Sequence, residues 1–185
     1  MPILDYDGTT YYEIGKVYDN DGTTNHQIGK VYDNDSTANH LVYSAETVIS
    51  AINNIGAFTS KGYSSNGANR TTFKQNSDGI YLSSFNDSYG TSRSLAYYNE
   101  KIDFTDVQSV SVIAKATTNA KTIVICTGAD SYAVFSGVVK QISGDGSGEF
   151  KTYTVDTSDI TGEYMIGFST NGSSNCTLQS ITLTY

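Results

Sequence analysis

The sequence predicts an all-β protein: a short repeat β-meander arm followed by a jelly-roll-like two-sheet β-sandwich. Three observations carry this. A fourteen-residue repeat near the start has two turn signals in each copy. Tyr, Thr, Ser, Gly, Val and Ile dominate the composition, and only 16% of the 185 residues are charged, against about a quarter in ordinary globular chains. Beyond the repeat, short apolar and polar alternations are divided by Gly, Asn, Asp and Ser clusters, the pattern of strands between turns.

The unit Ile-Gly-Lys-Val-Tyr-Asp-Asn-Asp-Gly-Thr-Thr-Asn-His-Gln starts at Ile14 and again at Ile28. Asp7-Gly8-Thr9-Thr10 aligns with Asp21-Gly22-Thr23-Thr24 and with the worn Asp35-Ser36-Thr37-Ala38. A fixed period means one supersecondary unit copied along the chain. Asn20-Asp21-Gly22 reads as a type I turn closed by a left-handed glycine, and Ile28-Gly29-Lys30-Val31 as a type II′ hairpin turn. The turns leave strands near Thr10–Ile14, Val17–Asp19, Thr24–Ile28, Val31–Asp33 and Ala38–Val42. So thin a ribbon is marginal alone. It is expected to dock on a larger assembly or on sister chains, or else to pack on the chain's own sandwich. The Asp-rich turns invite a calcium reading, but they lack the alternating ligands and terminal Glu of a calcium loop, and turn chemistry already explains them. His26 and His40 occupy one repeat position, held by Tyr12 in the first copy, which marks a structural slot.

The expected divisions are the arm at 1–43, a linker or leading strand and loop at 44–70, and the sandwich at 71–185. Ser44–Ile52 reads either as a short capped helix or as a strand, and its β-branched content favours the strand. Ser60–Asn69 reads as a loop. Strands are expected near Thr71–Lys74, Ile80–Ser84, Ser94–Tyr98, Val107–Ala116, Thr122–Cys126, Tyr132–Ser136, Phe150–Val155, Tyr164–Ser169 and Leu178–Tyr185.

The formal net charge is −8. Residues 1–43 hold seven acids against Lys16 and Lys30, so most of the excess lies in the arm. No basic stripe tracks a phosphate backbone, which argues against nucleic acid and anionic membranes. No apolar run spans a bilayer and the start lacks a signal-peptide pattern, so synthesis in a bacterial cytoplasm is expected. Cys126 and Cys176 form no disulfide framework, no metal spacing such as C-x-x-C occurs, and no cofactor is expected.

Lys101-Ile102-Asp103-Phe104-Thr105-Asp106-Val107-Gln108-Ser109-Val110-Ser111-Val112 resembles a strand motif of galactose-binding-like and carbohydrate-binding-module jelly rolls. Thr154 to Phe168, with its Val-Asp-Thr-Ser and Gly-Glu-Tyr-Met-Ile-Gly-Phe, is similar to a second motif of those domains, and Ser180–Tyr185 to their closing strand. The repeat is similar to amino-terminal repeats of virion proteins, tail or adhesin type, of phages and prophages from gut Firmicutes. The resemblance implies a tail-fibre or baseplate-type virion protein whose sandwich binds host glycan or cell surface. A capsid decoration or head-fibre protein with a purely structural role is the alternative. It further implies a homo-oligomer, a trimer by the fibre analogy, and attachment to other virion proteins through residues 1–43.

Sugar recognition needs flat aromatic faces and planar polar groups on loops. Tyr63, Phe85, Asn86, Asp87, Tyr89, Arg93, Asp130 and Tyr132 lie in or beside loop signals and form the expected ligand surface. Any single tyrosine also serves well as a strand residue with a wetted hydroxyl. Asp87, Asp103, Asp106, Asp130, Glu149 and Asp156 supply carboxylates, but nothing pairs them for hydrolysis, and no catalytic residue is expected. Both histidines lie in the arm, which leaves the sandwich without a His-dependent triad.

Overall fold

The computed structural model describes residues 3–6, 11–14, 18–20, 25–27, 30–34, 39–44, 46–65, 70–86 and 90–185. The chain divides into two compact units, Met1–Thr47 with Thr184–Tyr185, and Val48–Leu183.

In the first unit the repeat becomes three antiparallel pairs: β1 (Ile3–Tyr6) with β2 (Tyr11–Ile14), β3 (Tyr18–Asn20) with β4 (Asn25–Gln27), and β5 (Lys30–Asn34) with β6 (Asn39–Ser44). Tyr6 faces Tyr11, Asn20 faces Asn25 and Asn34 faces Asn39, so the register advances with the repeat. Each pair therefore closes across the Asp-Gly-Thr-Thr position. The histidine slot is a fixed ladder place: Tyr12 stands opposite Asp5, His26 opposite Asp19 and His40 opposite Asp33. The turn types expected at Asp21-Gly22 and Ile28-Gly29, and the calcium reading of the Asp-rich tips, fall on positions outside the described residues.

The second unit is a two-sheet sandwich. Its strands are β7 (Glu46–Ser50), β8 (Phe58–Ser64), β9 (Thr71–Asn76), β10 (Gly79–Ser84), β11 (Ser92–Tyr98), β12 (Ile102–Asp103), β13 (Ser109–Ala116), β14 (Lys121–Cys126), β15 (Gly128–Ala129), β16 (Phe135–Ser136), β17 (Lys140–Ser143), β18 (Lys151–Asp156), β19 (Glu163–Asn171) and β20 (Ser174–Thr184). One sheet runs β18-β13-β20-β10-β9 with β7 on β20; the other runs β17-β14-β19-β11-β8 with β12 on β19. Read in the same direction, the two orders pass through chain neighbours at every place. A folded ribbon rolled into two layers gives this arrangement, as in a jelly roll. Among the described residues the only helical turn is Ile55–Ala57, and no helix is long and apolar enough to cross a membrane.

The expected alternations are present. Val110, Val112 and Ala114 are buried while Ser109, Ser111 and Ile113 are not, and Ile166 and Phe168 line the core. Leu82, Ile80 and Leu178 meet them from the middle of the first sheet. Both cysteines are buried free thiols, and burial pushes Cys176 up to about 12 and Cys126 up to about 11.

Two local expectations change. The loop placed at Ser60–Asn69 begins as β8, which pairs along its length with β11, so strands of the sandwich start before Thr71. The strand placed at Tyr132–Ser136 is mostly a turn, with only Phe135–Ser136 in a ladder. The segment Glu46–Ser50 takes the favoured strand form and pairs with β20.

The two family-like motifs meet in space. Ile102 pairs with Tyr164 and Asp103 with Glu163, Phe104 stands edge-on to Tyr164 at 6.0 Å, and the buried Thr157 hydroxyl donates to the Val107 carbonyl at 2.9 Å. Each motif also carries one turn lock. Asp103 accepts from the Thr105 N–H and hydroxyl at 3.0 and 2.7 Å, and Asp156 from those of Ser158 at 2.9 and 2.7 Å. These bonds hold both carboxyls below the ordinary carboxylate value. Asp145 is lowered further, first by the Lys151 ammonium and then by Ser147, with the Tyr153 hydroxyl also bound.

All three folded-state values lie below the usual 3.8. Their stabilisation is therefore whole above that value and lost as pH falls through the folded values. Urea midpoints are expected to stay level from neutral pH to about pH 4 and to drop below it. Asp145→Asn should flatten part of that acid limb by lowering the neutral midpoint while leaving the most acid points little changed. An unaltered acid limb in that variant would remove Asp145 from the account.

Candidate functional site

Cross-strand partners share a face of a sheet, so the registers define the outer surface of the β17-to-β8 sheet row by row. Tyr63, Arg93 and Asn171 form one row across β8, β11 and β19. Lys61, Leu95, Ser169 and Lys121 form the next, and Thr59, Tyr97, Gly167 and Val124 the third. The opposite face carries Phe58, Ala96, Phe168 and Ile166, all buried.

Leu95 lies on the outer face yet is fully buried. The excursion from Thr127 to Val139 folds back over this face as a flap, meeting Lys61, Tyr63 and Gly167 around it. Within it β15 pairs with β16, and Asp130 Oδ1 accepts the N–H groups of Tyr132 and Val134 at 2.9 and 3.0 Å. That turn holds Ala133 at a φ of 54° and buries it. Lys61 Nζ reaches up to the Ala129 carbonyl, and the Tyr63 and Tyr132 rings meet edge to face at 5.4 Å. The Phe135 ring lies on Gly167: a Cβ there would stand 2.5 Å from Phe135 Cζ and 2.6 Å from the Ala96 carbonyl oxygen.

Between flap and sheet runs a cleft of two adjoining lobes. The inner lobe, about 360 Å³, has an apolar wall of Val134, Phe135 and Val138 over a floor of Arg93, Lys121, Ser169 and Asn171, with Gln141 beside it. The outer lobe, about 590 Å³, shares Arg93, Asn119, Lys121 and Asn171 and continues past Asn86 and Thr91. Each falls within the roughly 300–1,000 Å³ usual for ligand sites. An apolar wall facing guanidinium, ammonium and amide groups is suited to a polyhydroxyl ligand, whose C–H faces pack while its hydroxyls bond to planar polar groups.

Of the residues expected at a ligand surface, Arg93 and Asn86 line this cleft, and Tyr63 and Tyr132 make the aromatic pair joining sheet to flap. Asp130 is engaged in the flap turn, and Phe85 is 59% exposed next to Asn86. Asp87 and Tyr89 lie outside the described residues. The sequence reading missed Lys121, Asn119, Asn171, Gln141 and Phe135. Asn119 and Asn171 sit in Asn-containing loop signals and were open to the same reasoning; nothing local marks Lys121. Among the described residues no group of three or more His, Cys, Asp or Glu is placed to hold a metal.

No family model and no curated protein matches this chain. Among solved structures it is similar to a family 11 carbohydrate-binding module from Clostridium thermocellum in complex with a β-1,3-1,4-mixed-linked tetrasaccharide, at 17% identity and a TM-score of 0.49 over 75% of this chain and 94% of that one. It is also similar to mutant forms of a family 29 carbohydrate-binding module, one at 17% identity and a TM-score of 0.48 over 76% and 91% of the two chains. These likenesses are distant, and the tetrasaccharide belongs to the family 11 protein.

Proposed function

We propose that this chain is a non-catalytic glycan-binding β-sandwich displayed on a phage or prophage particle, with its repeat arm as the attachment device. The observation that carries the glycan reading is the cleft under the flap, where Arg93, Lys121 and three amide side chains face an apolar wall. The non-catalytic part is supported by how the sandwich uses its acids. Asp103, Asp130, Asp145 and Asp156 each accept a backbone N–H in their own turn, and among the described residues no Asp or Glu lines either lobe.

The virion reading rests on the resemblance of the repeat. Three hairpins in a fixed register make a thin arm, and an arm so thin gains stability from partners, whether particle proteins or sister chains in a trimer. Several copies on one particle would turn a weak site into useful avidity. A screen of the full chain, immobilised in many copies, against neutral and acidic bacterial polysaccharides is expected to find at least one ligand. Binding to none at millimolar sugar would overturn the glycan reading. Electron microscopy of particles labelled for this chain is expected to place it on a tail appendage, and labelling confined to the capsid would overturn that placement.

A further inference from the structure

Resting on the glycan reading, we propose that the saccharide taken by the cleft is anionic, with its carboxylate or phosphate held between Arg93 and Lys121. The chain as a whole is acidic, at −8, yet among the described residues both lobes are lined by these two cations and by no acid. Two other basic groups of the sandwich have acidic partners, Lys140 with Asp159 at 2.9 Å and Lys151 with Asp145.

Arg93 is half-buried at the centre of the Tyr63, Arg93, Asn171 row. Among the described residues no carboxylate pairs with it and no hydrogen bond engages its guanidinium. That group presents a planar fork of five N–H donors, the geometry that takes an oxyanion two bonds at a time. Lys121 stands across β19 from it, paired with Ser169. One of its three donors is used by the Ser143 hydroxyl at 2.8 Å. Two strand spacings and one pleat repeat separate their Cα atoms by roughly 12 Å, a span that two long side chains close around one anionic group.

The chain's overall negative charge does not cancel this. Beyond a Debye length of about 8 Å in physiological salt it is largely screened, whereas contacts in the cleft are not. The wall of Val134, Phe135 and Val138 keeps water from one side and strengthens the attraction. Asn119, Asn171 and Gln141 serve the neutral hydroxyls, so the charged pair sets which sugar is chosen and the amides add affinity common to many.

The test uses the full chain with four immobilised probes: polygalacturonate, its carboxyl-reduced neutral form, poly(glycerol phosphate) and a neutral glucan. Binding is expected to one of the two anionic polymers, and which one binds identifies the anion. It should weaken as salt is raised. Arg93→Gln and Lys121→Gln should each lower that binding roughly tenfold or more, the scale of a lost charge-assisted hydrogen bond. Arg93→Lys, which keeps charge but not the fork, should recover part of it. Urea midpoints of the variants check the fold, and Arg93→Lys decides the matter should Arg93→Gln be unstable. Equal binding of neutral and anionic polymers, or of parent and Arg93→Gln, would overturn the anionic assignment and leave the glycan reading standing. Binding to no polymer of either kind would overturn both.

Discussion

Replacing Phe168 by alanine is expected to destabilise the sandwich by about 3–5 kcal/mol, the largest loss of any single core truncation here. Phe168 is fully buried on the inner face of β19, the central strand of its sheet. Its ring meets Phe58 edge to face at 6.4 Å, and Phe58 in turn meets Tyr98 at 5.7 Å. Truncation removes the transfer energy of the ring, leaves a cavity that strands fixed on both sides cannot close, and breaks an aromatic pair worth about 0.5–1.5 kcal/mol. Against a typical domain stability of about 5–15 kcal/mol, that is roughly a fifth or more of the total. Phe168→Leu keeps most of the volume and should cost less than about 1.5 kcal/mol. Phe85→Ala, at a site 59% exposed, should stay within about 0.5 kcal/mol of the parent. Urea denaturation with a common m-value reads all three. A Phe168→Ala loss near that of Phe85→Ala would mean that the ring does not lie in a closed core.

Contrasts of this kind show what the sequence could and could not reveal. β13 buries one face fully and leaves the other partly wet, and β19 buries Ile166, Phe168 and Thr170 on its inner face, so their alternation is plain in the residues. Apart from the two-residue β12 and β15, the strands that escaped notice are β8 and β17, and these are the two edges of one sheet. An edge strand buries little and keeps turn-like residues without penalty. β8 holds Ser60, Lys61, Gly62 and Ser64, and β17 has Ile142 as its only large apolar side chain. The opposite error arose at Tyr132–Ser136, where Tyr, Ala, Val and Phe read as a strand. Their apolar character serves the flap instead, which packs Ala133 and Phe135 onto the outer face of the sheet.

The candidate site was half legible for a related reason. Arg93 and Asn86 stand beside a loop signal that composition exposes. Lys121 and Asn171 are far from them in sequence and reach the cleft only because β14, β19 and β11 are neighbours in the sheet. No local pattern encodes a sheet order, so residues gathered by topology stay hidden until the fold is known. The motif acids show the reverse case. Asp103 and Asp156 are conspicuous in the sequence, but each spends its carboxylate on a Ser or Thr two residues on.

Gly167→Ala is expected to lift the flap. The glycine is needed for room and not for backbone freedom, since its conformation is one that any residue adopts in a strand. An added Cβ would come within 2.5 Å of Phe135 Cζ and 2.6 Å of the Ala96 carbonyl oxygen. The ring can swing away, but the carbonyl is held in the β11–β19 ladder, where Ala96 faces Phe168. Overpacking of this kind costs about 1–3 kcal/mol. It should also release the flap's own bonds, speeding exchange of the Thr127 and Asp130 amides, which now donate to the Ser136 and Val134 carbonyls at 3.1 and 2.9 Å. Glycan binding should weaken with it, because Phe135 is the wall of the inner lobe. Phe135→Ala separates the two clashes. In a double-mutant cycle the pair Gly167→Ala and Phe135→Ala should cost less than the sum of the single changes, because the ring contact is then gone and only the carbonyl contact remains. Strict additivity would show that Phe135 does not rest on Gly167, and the flap would have to be held by Lys61, Tyr63 and Asp130 alone.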